Sequence, residues 1–161
     1  MSIAADSRPN VIILLADDLG YGDVGFHGSD IATPNIDRIA NEGARLESFY
    51  SCPMCTQTRA GLMTGRYPLR FGLMRSVIPP QREFGLDPSE ETLAEVFEQG
   101  GYSRRGVFGK WHLGHRRKEW FPTRRGFTDF VGCLNGAVEY FSHERDGELD
   151  WHRNEEPLLE E

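Results

Sequence analysis

The first hydrophobic feature of the chain is a continuous apolar run that ends in two acidic residues. Val11 to Ala16 are apolar without alternation, and Asp17 and Asp18 follow at once. An unbroken apolar run is typical of a parallel strand that is covered on both faces. The segment that follows, Leu19 to Asp23, is polar and rich in glycine. We therefore predict a buried strand whose carboxyl end carries a loop at which ligands collect.

Further along, the hydrophobic spacing changes to that of helices. Thr33 and Pro34 form an N-cap followed by proline at the first helical position, and Ile36, Ile39 and Ala40 share one face behind them. This pattern predicts an amphipathic helix that begins at Pro34 and buries its isoleucines.

A second helix is predicted to begin at Cys55. The residues after it include the helix formers Ala60, Leu62 and Met63, and Gly65 supplies a stop. The unpaired N–H groups of the first turn would then lie beside the cysteine side chain.

A third helix is predicted from about Glu90 to Gln99, with Leu93, Val96 and Phe97 as its buried stripe. A short strand, Val107 to Phe108, follows it. Because strands and helices alternate, we predict an α/β fold with a mostly parallel sheet and helices on both of its faces.

Composition limits the classes of function. The 161 residues suffice for one compact domain, and 39% of them are hydrophobic. The formal net charge of −7 argues against a nucleic-acid binder. Arginine and lysine are nevertheless clustered, which favours either an acidic substrate or a solvated basic face. The clusters are Arg104-Arg105, Arg116-Arg117-Lys118 and Arg124-Arg125.

Three cysteines cannot all pair, so a disulfide framework is not expected. Cys52 and Cys55 have the spacing of redox and zinc sites, but no second Cys/His pair stands at zinc spacing. No apolar run approaches the length of a membrane span, and the first ten residues have no signal-peptide pattern. The chain as written is expected to be cytoplasmic, or periplasmic or secreted if a leader has been removed.

Two sets of residues have the chemistry of an anion site. Arg59 follows Cys55 by one helical turn, so the two would share a helix face that suits a sulfate or phosphate. Lys110 and His112 lie two residues apart in a segment predicted to be extended, which would place both side chains on one side and Trp111 on the other. A surface lysine and a core-edge histidine are the alternative interpretation.

The adjacent carboxylates of Asp17 and Asp18 repel each other unless water, a basic group or a cation offsets the charge. A divalent cation would do so. A solvated acidic loop is the alternative.

Three ordered blocks of this sequence resemble the type I sulfatases of the alkaline phosphatase superfamily. They are Asp17-Asp18-Leu19-Gly20-Tyr21-Gly22-Asp23, Cys55-Thr56-Gln57-Thr58-Arg59 with Thr64-Gly65-Arg66, and Gly109-Lys110-Trp111-His112-Leu113-Gly114. A softer resemblance, in the segments Pro122 to Phe127 and Gly136 to His143, is to arylsulfatase B-type enzymes. The whole resemblance extends from Pro9 to Pro157. It implies a tail at residues 1–8, followed by the N-terminal portion of a sulfatase catalytic domain at residues 9–161.

This resemblance implies a sulfuric ester hydrolase that depends on formylglycine made from Cys55 by a formylglycine-generating enzyme. It implies catalytic roles for Arg59, Lys110 and His112, with the lysine on the sulfate and the histidine acting as a general base. It also implies Ca²⁺, with Mg²⁺ as the alternative, held by Asp17, Asp18 and the group derived from Cys55. The expected substrate is an aryl sulfate or a sulfated sugar.

One departure from the family pattern leaves the function open. Gln57 stands where the family usually carries proline, within the sequence that the modifying enzyme reads. If Cys55 remains a thiol, the protein would be a non-catalytic binder of sulfated ligands. The chain could also be a phosphate or phosphonate ester hydrolase of the same superfamily, or a truncated product without function. The family's remaining metal ligands lie beyond residue 161, so we expect weak or no activity from the isolated chain.

Overall fold

The computed structural model describes residues 8–158, which divide into two compact units. The first ends at Phe49 and the second begins at Tyr50. Apart from Arg8, the predicted tail at residues 1–8 lies outside the described residues. The family portion predicted for residues 9–161 therefore falls into two units, which are described one by one.

The first unit is organised by one helix and the turns before it. Helix α1 runs from Pro34 to Glu42, with Thr33 as N-cap and the proline in the first turn, as predicted. The Thr33 hydroxyl accepts the Gly25 N–H at 2.8 Å and donates to Asp37 at 2.8 Å. The Gly25 bond ties the start of α1 to the second of two short 3-10 turns, Tyr21–Asp23 and Gly25–His27. The predicted inward face is wrong, since Ile36 and Ile39 are both exposed.

The buried strand predicted at Val11 to Ala16 is absent. Within residues 8–158 this run pairs with no strand, and its side chains are exposed, Ile12 by 83% and Leu14 by 82%. A single segment cannot form a strand without a neighbour that accepts its backbone hydrogen bonds. The apolar pattern indicates what this segment can bury, but the pairing partner decides whether it becomes a strand.

Two helices belong to the second unit. Helix α2 runs from Cys55 to Thr64 and ends at Gly65, whose φ of 63° is left-handed and whose N–H donates to the Gly61 carbonyl. Helix α3 runs from Leu93 to Gln99. Both were predicted, but α3 begins three residues later than expected.

The start of α3 is set by a capping box. The Thr92 hydroxyl accepts the Glu95 N–H at 3.3 Å, and the Glu95 carboxylate accepts the Thr92 N–H at 2.6 Å. Of the predicted stripe, Leu93 and Phe97 are half-buried, whereas Val96 is 48% exposed and Ala94 is buried instead.

The strands form one mixed sheet of four and one two-stranded ribbon. They are β1 (Gly106–Phe108), β2 (Asp129–Gly132), β3 (Glu144–Arg145), β4 (Glu148–Leu149), β5 (His152–Arg153) and β6 (Glu156–Pro157). In the sheet, the strand order is β1-β2-β5-β6; β1 and β2 are parallel, and the other pairs are antiparallel. Strands β3 and β4 form the ribbon. The α/β class is confirmed, but the sheet of the described residues is mixed rather than mostly parallel.

A hydrophobic core lies in the second unit. It joins α2 to the sheet and to the loops between them. Its buried members are Ala60, Leu73, Ile78, Leu86, Trp111, Leu113, Phe121, Phe130 and Leu134. The Trp111 ring N–H is satisfied by the Trp120 carbonyl at 2.8 Å.

A buried arginine connects this core to α3. The Arg125 guanidinium donates to the backbone carbonyls of Leu86, Asp87 and Glu90 and lies 3.7 Å from a Glu95 carboxylate oxygen. The basic clusters are thus paired with acidic or carbonyl groups within the second unit, as further ion pairs show: Arg105–Glu98, Arg116–Glu148, Arg117–Glu83, Lys118–Glu155 and Arg124–Glu155.

Replacing Arg125 by methionine should destabilise the second unit by about 3 kcal/mol, because buried carbonyls and the Glu95 carboxylate lose their donor. Urea unfolding measures this change. The matched control is Arg124→Met, since Arg124 is exposed and its ion pair with Glu155 contributes little. Equal losses from the two variants would contradict the role given to Arg125.

Candidate active site

The candidate site is built on the first turn of α2. Cys55 is the first helical residue, after the N-cap Met54, whose side chain makes no cap hydrogen bond. The Thr58 N–H donates to the Met54 carbonyl at 3.0 Å, which closes the first turn. Cys55 is half-buried, while Thr56 and Gln57 behind it are fully buried. The sequence prediction of a helix that opens at Cys55 is therefore confirmed.

The second part of the site is the segment that follows β1, from Gly109 to His112. Its backbone continues to form hydrogen bonds with the chain of β2 beyond the ends of both strands. The Gly109 N–H donates to the Val131 carbonyl at 2.8 Å, and the Trp111 N–H to the Cys133 carbonyl at 2.9 Å. The His112 N–H then donates to the Leu134 carbonyl at 3.1 Å. Lys110 and His112 are thus held by a continuous set of backbone hydrogen bonds.

His112 itself is not extended. Its φ of 58° lies in the left-handed region, which is uncommon for a residue with a side chain. The prediction of an extended segment that places Lys110 and His112 on one side is therefore wrong at His112. Non-glycine residues in this conformation cost energy and cluster at functional sites.

The His112 ring is almost fully buried, with 4% exposed. Its Nε2 lies 3.0 Å from the Ile78 carbonyl oxygen. A carbonyl can only accept, so Nε2 carries a proton, and in the neutral ring the basic nitrogen is Nδ1. On another side, the ring lies against Gly136, where a Cβ would be 2.7 Å from Nε2.

Two side chains of α2 join the helix to this segment. The Arg59 guanidinium donates to the Lys110 carbonyl, and the Thr56 hydroxyl donates to the His112 carbonyl at 3.2 Å. The same hydroxyl accepts the Ile78 N–H at 3.2 Å. The fold therefore brings the helix turn that carries Cys55 and Arg59 against the backbone of Lys110 and His112, which lies some fifty residues further along the chain.

A polar network below this segment was missed by the sequence analysis. The Asp150 carboxylate accepts the N–H groups of Leu134 at 3.0 Å and Asn135 at 2.7 Å, and His152 Nε2 lies 3.2 Å from it. Burial alone would raise the pKa of Asp150, but these hydrogen bonds outweigh it and hold that pKa below its usual value. The only signal in the sequence is an acidic residue two positions before a histidine.

The third cysteine is buried beside this network. Burial and, to a lesser extent, the nearby Asp150 charge raise the pKa of the Cys133 thiol to about 11. Its sulfur lies 3.6 Å from the Asn135 carbonyl oxygen. A thiol of this kind is inert at neutral pH, so Cys133 is no candidate nucleophile.

The predicted metal ligands belong to different units: Asp17 and Asp18 to the first, Cys55 to the second. Both aspartates are exposed, and Asp18 has a left-handed φ of 60°. Among residues 8–158, no three His, Cys, Asp or Glu side chains are grouped as a metal cluster requires. Because Ca²⁺ takes six to eight oxygen ligands, the described residues do not complete a calcium shell. The metal role of these three residues stays a prediction.

Comparison with known proteins identifies the family. Residues 9–157 match the Sulfatase family, so the chain belongs to the sulfatases. It is 45% identical over 140 residues to arylsulfatase J of Mus musculus, covering 87% of this chain and 23% of that protein. It is 46% identical over 133 residues to arylsulfatase A of Bos taurus, covering 81% of this chain and 26% of that protein.

Solved structures support the same conclusion for the fold. The crystal structure of Ps i-CgsB superposes with a TM-score of 0.79 at 38% identity, covering 85% of this chain and 30% of that one. The PsFucS1 sulfatase from Pseudoalteromonas sp. gives a TM-score of 0.69 at 41% identity, covering 82% and 26%. The alkaline phosphatase-like fold is thus confirmed. The chain spans about a quarter of the length of the curated relatives it matches.

None of the helices in the described part of the chain is both long and apolar enough to cross a bilayer.

Replacing Thr56 by valine should lower the free energy of unfolding by about 2 kcal/mol, because the buried Ile78 N–H and His112 carbonyl both lose their partner. Chemical denaturation measures the loss. Thr58→Val is the matched control, since the Thr58 hydroxyl only donates to the Cys52 carbonyl from a half-buried position. A Thr56 variant as stable as the Thr58 variant would refute the docking contact.

Proposed function

We propose that this chain is the N-terminal portion of an enzyme that hydrolyses sulfate monoesters, with Cys55 as the precursor of formylglycine. One observation carries the proposal: Arg59 and Thr56, both in the first two turns of α2, donate to the carbonyls of Lys110 and His112, respectively. These contacts join two of the three sequence blocks that resemble the sulfatases, the block that begins at Cys55 and the block that begins at Gly109. Membership of the sulfatase family supports the same function.

The residues of this chain provide the setting for anion chemistry. Arg59 supplies positive charge near the start of α2, where an oxyanion would be stabilised by unpaired backbone N–H groups. The Lys110 carbonyl is bound by Arg59, so we expect the lysine ammonium to add to this charge. In its neutral form, His112 would offer Nδ1 as a base, because Nε2–H is directed at the Ile78 carbonyl. A formylglycine at position 55 would supply a hydroxyl nucleophile for the sulfuryl group.

A divalent cation belongs to the proposal as a family property. Asp17 and Asp18 would each contribute carboxylate oxygen, the ligand type that Ca²⁺ prefers, together with the group derived from Cys55. Further ligands would have to come from outside this chain. The roles given above to Arg59, Lys110 and His112 are independent of the cation.

The relatives indicate the class of substrate. Among them is N-acetylgalactosamine-6-sulfatase of Rattus norvegicus, 41% identical over 144 residues. A second structure of Ps i-CgsB, with a TM-score of 0.67 at 33% identity, is a complex with k-i-k-neocarrahexaose. We infer that the substrate is a sulfated sugar, with an aryl sulfate as the alternative, and that a formylglycine-generating enzyme is a partner.

A second function, binding of sulfated ligands without turnover, is favoured by Gln57. This side chain is fully buried, and its Nε2 donates to the Met74 carbonyl at 3.4 Å. Gln57 is the third residue of α2, where a backbone N–H has no partner within the helix. Proline would therefore fit the helix backbone at this position, at the cost of the side-chain donor to the Met74 carbonyl.

The state of Cys55 separates the two functions. Mass spectrometry of the tryptic peptide from Leu46 to Arg59, purified from the native host, should show an aldehyde at Cys55. Gln57→Pro should raise the aldehyde fraction if the modifying enzyme reads this position. Cys52→Ser is the control, because an aldehyde that persists in it must belong to Cys55. A thiol at Cys55 in both the native protein and Gln57→Pro would leave only the binding function.

An ester assay tests the reaction class. The isolated chain should release little or no sulfate from an aryl sulfate, because Asp17 and Asp18 provide too few ligands for Ca²⁺. A matched aryl phosphate should be turned over even less. Rapid sulfate release would show that the chain needs no further ligands, whereas a preference for the phosphate would support the phosphate or phosphonate ester hydrolase.

A further inference from the structure

Asp150 is a buried acid that the proposed mechanism does not use. Only 4% of the residue is exposed. Its Oδ1 accepts the Leu134 N–H at 3.0 Å, its Oδ2 accepts the Asn135 N–H at 2.7 Å, and His152 Nε2 donates to Oδ1 at 3.2 Å. Burying a charge is costly unless it is compensated, and here three donors surround one carboxylate.

The geometry of the two backbone donors requires such an acceptor. Successive N–H groups of a strand point to opposite sides, so the N–H groups of Leu134 and Asn135 can converge only where the strand direction ends. A carboxylate has two oxygens and can accept both. Asp150 therefore fixes the backbone at the point where the chain of β2 turns away from the segment after β1.

The same backbone holds His112 on two sides. The Leu134 carbonyl accepts the His112 N–H at 3.1 Å. Gly136 lies against the imidazole, where a Cβ would be 2.7 Å from Nε2 and 3.0 Å from Nδ1. Asp150 thus binds Leu134, which contacts His112 directly, and Asn135, which precedes the second contact residue, Gly136.

We propose that Asp150 is a positioning residue for His112: by binding the Leu134 and Asn135 N–H groups, it fixes the backbone wall that orients the imidazole. The proposal rests on the proposed function in one respect: the orientation of His112 matters for catalysis only if His112 is catalytic. The structural claim itself concerns only the position of the imidazole ring. His152 completes the arrangement by donating to Asp150 from β5, so the pairing of β5 with β2 supports the same wall.

The test is NMR spectroscopy of the 161-residue chain with selectively labelled histidine and glycine. In the native chain, the His112 ring protons should give a nuclear Overhauser effect to the Gly136 α-protons. Asp150→Asn keeps the size of the side chain but turns one acceptor into an NH₂ group that faces a backbone donor. This variant should lose the effect at least several-fold and shift the His112 ring resonances.

Asp129→Asn is the matched control. Asp129 is exposed at the start of β2 and accepts the Thr128 hydroxyl, so the same chemical change there should leave the His112 signals unchanged. Gly136→Ala tests the wall directly, since Gly136 has no positive φ and the three atoms nearest to the added Cβ all belong to the His112 ring. It should displace the ring while the Leu134 and Asn135 amide resonances stay in place.

A folded Asp150→Asn variant with unchanged His112 resonances and an unchanged Overhauser effect would overturn the proposal. If that variant does not fold, Asp150→Glu decides by the same criterion, because it keeps both acceptors but is one methylene longer and should shift the ring. Neither measurement requires turnover or a modified Cys55. A failed sulfatase assay would therefore leave this result unaffected, and an unchanged ring would leave the proposed function unaffected.

Discussion

The second unit depends on one parallel backbone pairing, which starts between β1 and β2 and continues beyond both. It runs from Gly106 to His112 on one side and from Asp129 to Leu134 on the other. Parallel pairing joins segments that are distant in sequence, and here it places the carbonyls of Lys110 and His112 beneath helix α2. Without this register, the backbone of Lys110 and His112 would not be held at a fixed position against Cys55 and Arg59 of the helix.

Three buried polar residues hold the elements around that pairing, and each makes at least two hydrogen bonds. Arg125 donates to three backbone carbonyls, Asp150 accepts two backbone N–H groups, and Thr56 both donates and accepts. An unsatisfied buried group costs more than a satisfied one contributes, so these residues specify the loop conformations as much as they stabilise them. The loops around the candidate site are consequently defined by hydrogen bonds rather than by regular secondary structure.

The chemistry of the site follows from how these loops are held. Arg59 uses its guanidinium to bind a carbonyl of the loop that carries Lys110, so one arginine both docks the helix and brings charge to its N-terminus. His112 is held in a left-handed conformation with its Nε2 proton committed to Ile78. The chain belongs to the sulfatase family, and this arrangement is the basis of our proposal that the site binds and cleaves an anionic ester.

The sequence alone determined the local features whose causes lie within a few residues. Helix α1 begins at Pro34, whose fixed φ suits the first helical position, and helix α2 ends at Gly65, whose left-handed conformation suits glycine. Both preferences are local properties of the chain. The motifs that carry the family resemblance are likewise short runs of adjacent residues, and the family comparison confirmed the resemblance.

Other features were decided by the tertiary structure. The apolar run from Val11 to Ala16 is not a strand, because pairing depends on a neighbour that composition cannot supply. His112 has a left-handed conformation, and its two backbone hydrogen bonds join it to residues remote in sequence: its N–H donates to the Leu134 carbonyl, and its carbonyl accepts the Thr56 hydroxyl of α2. Asp150 has an ordinary sequence context, and only folding surrounds it with donors from the β2 chain and β5. Local preferences set where helices start and stop, whereas long-range hydrogen bonds set the geometry of the site.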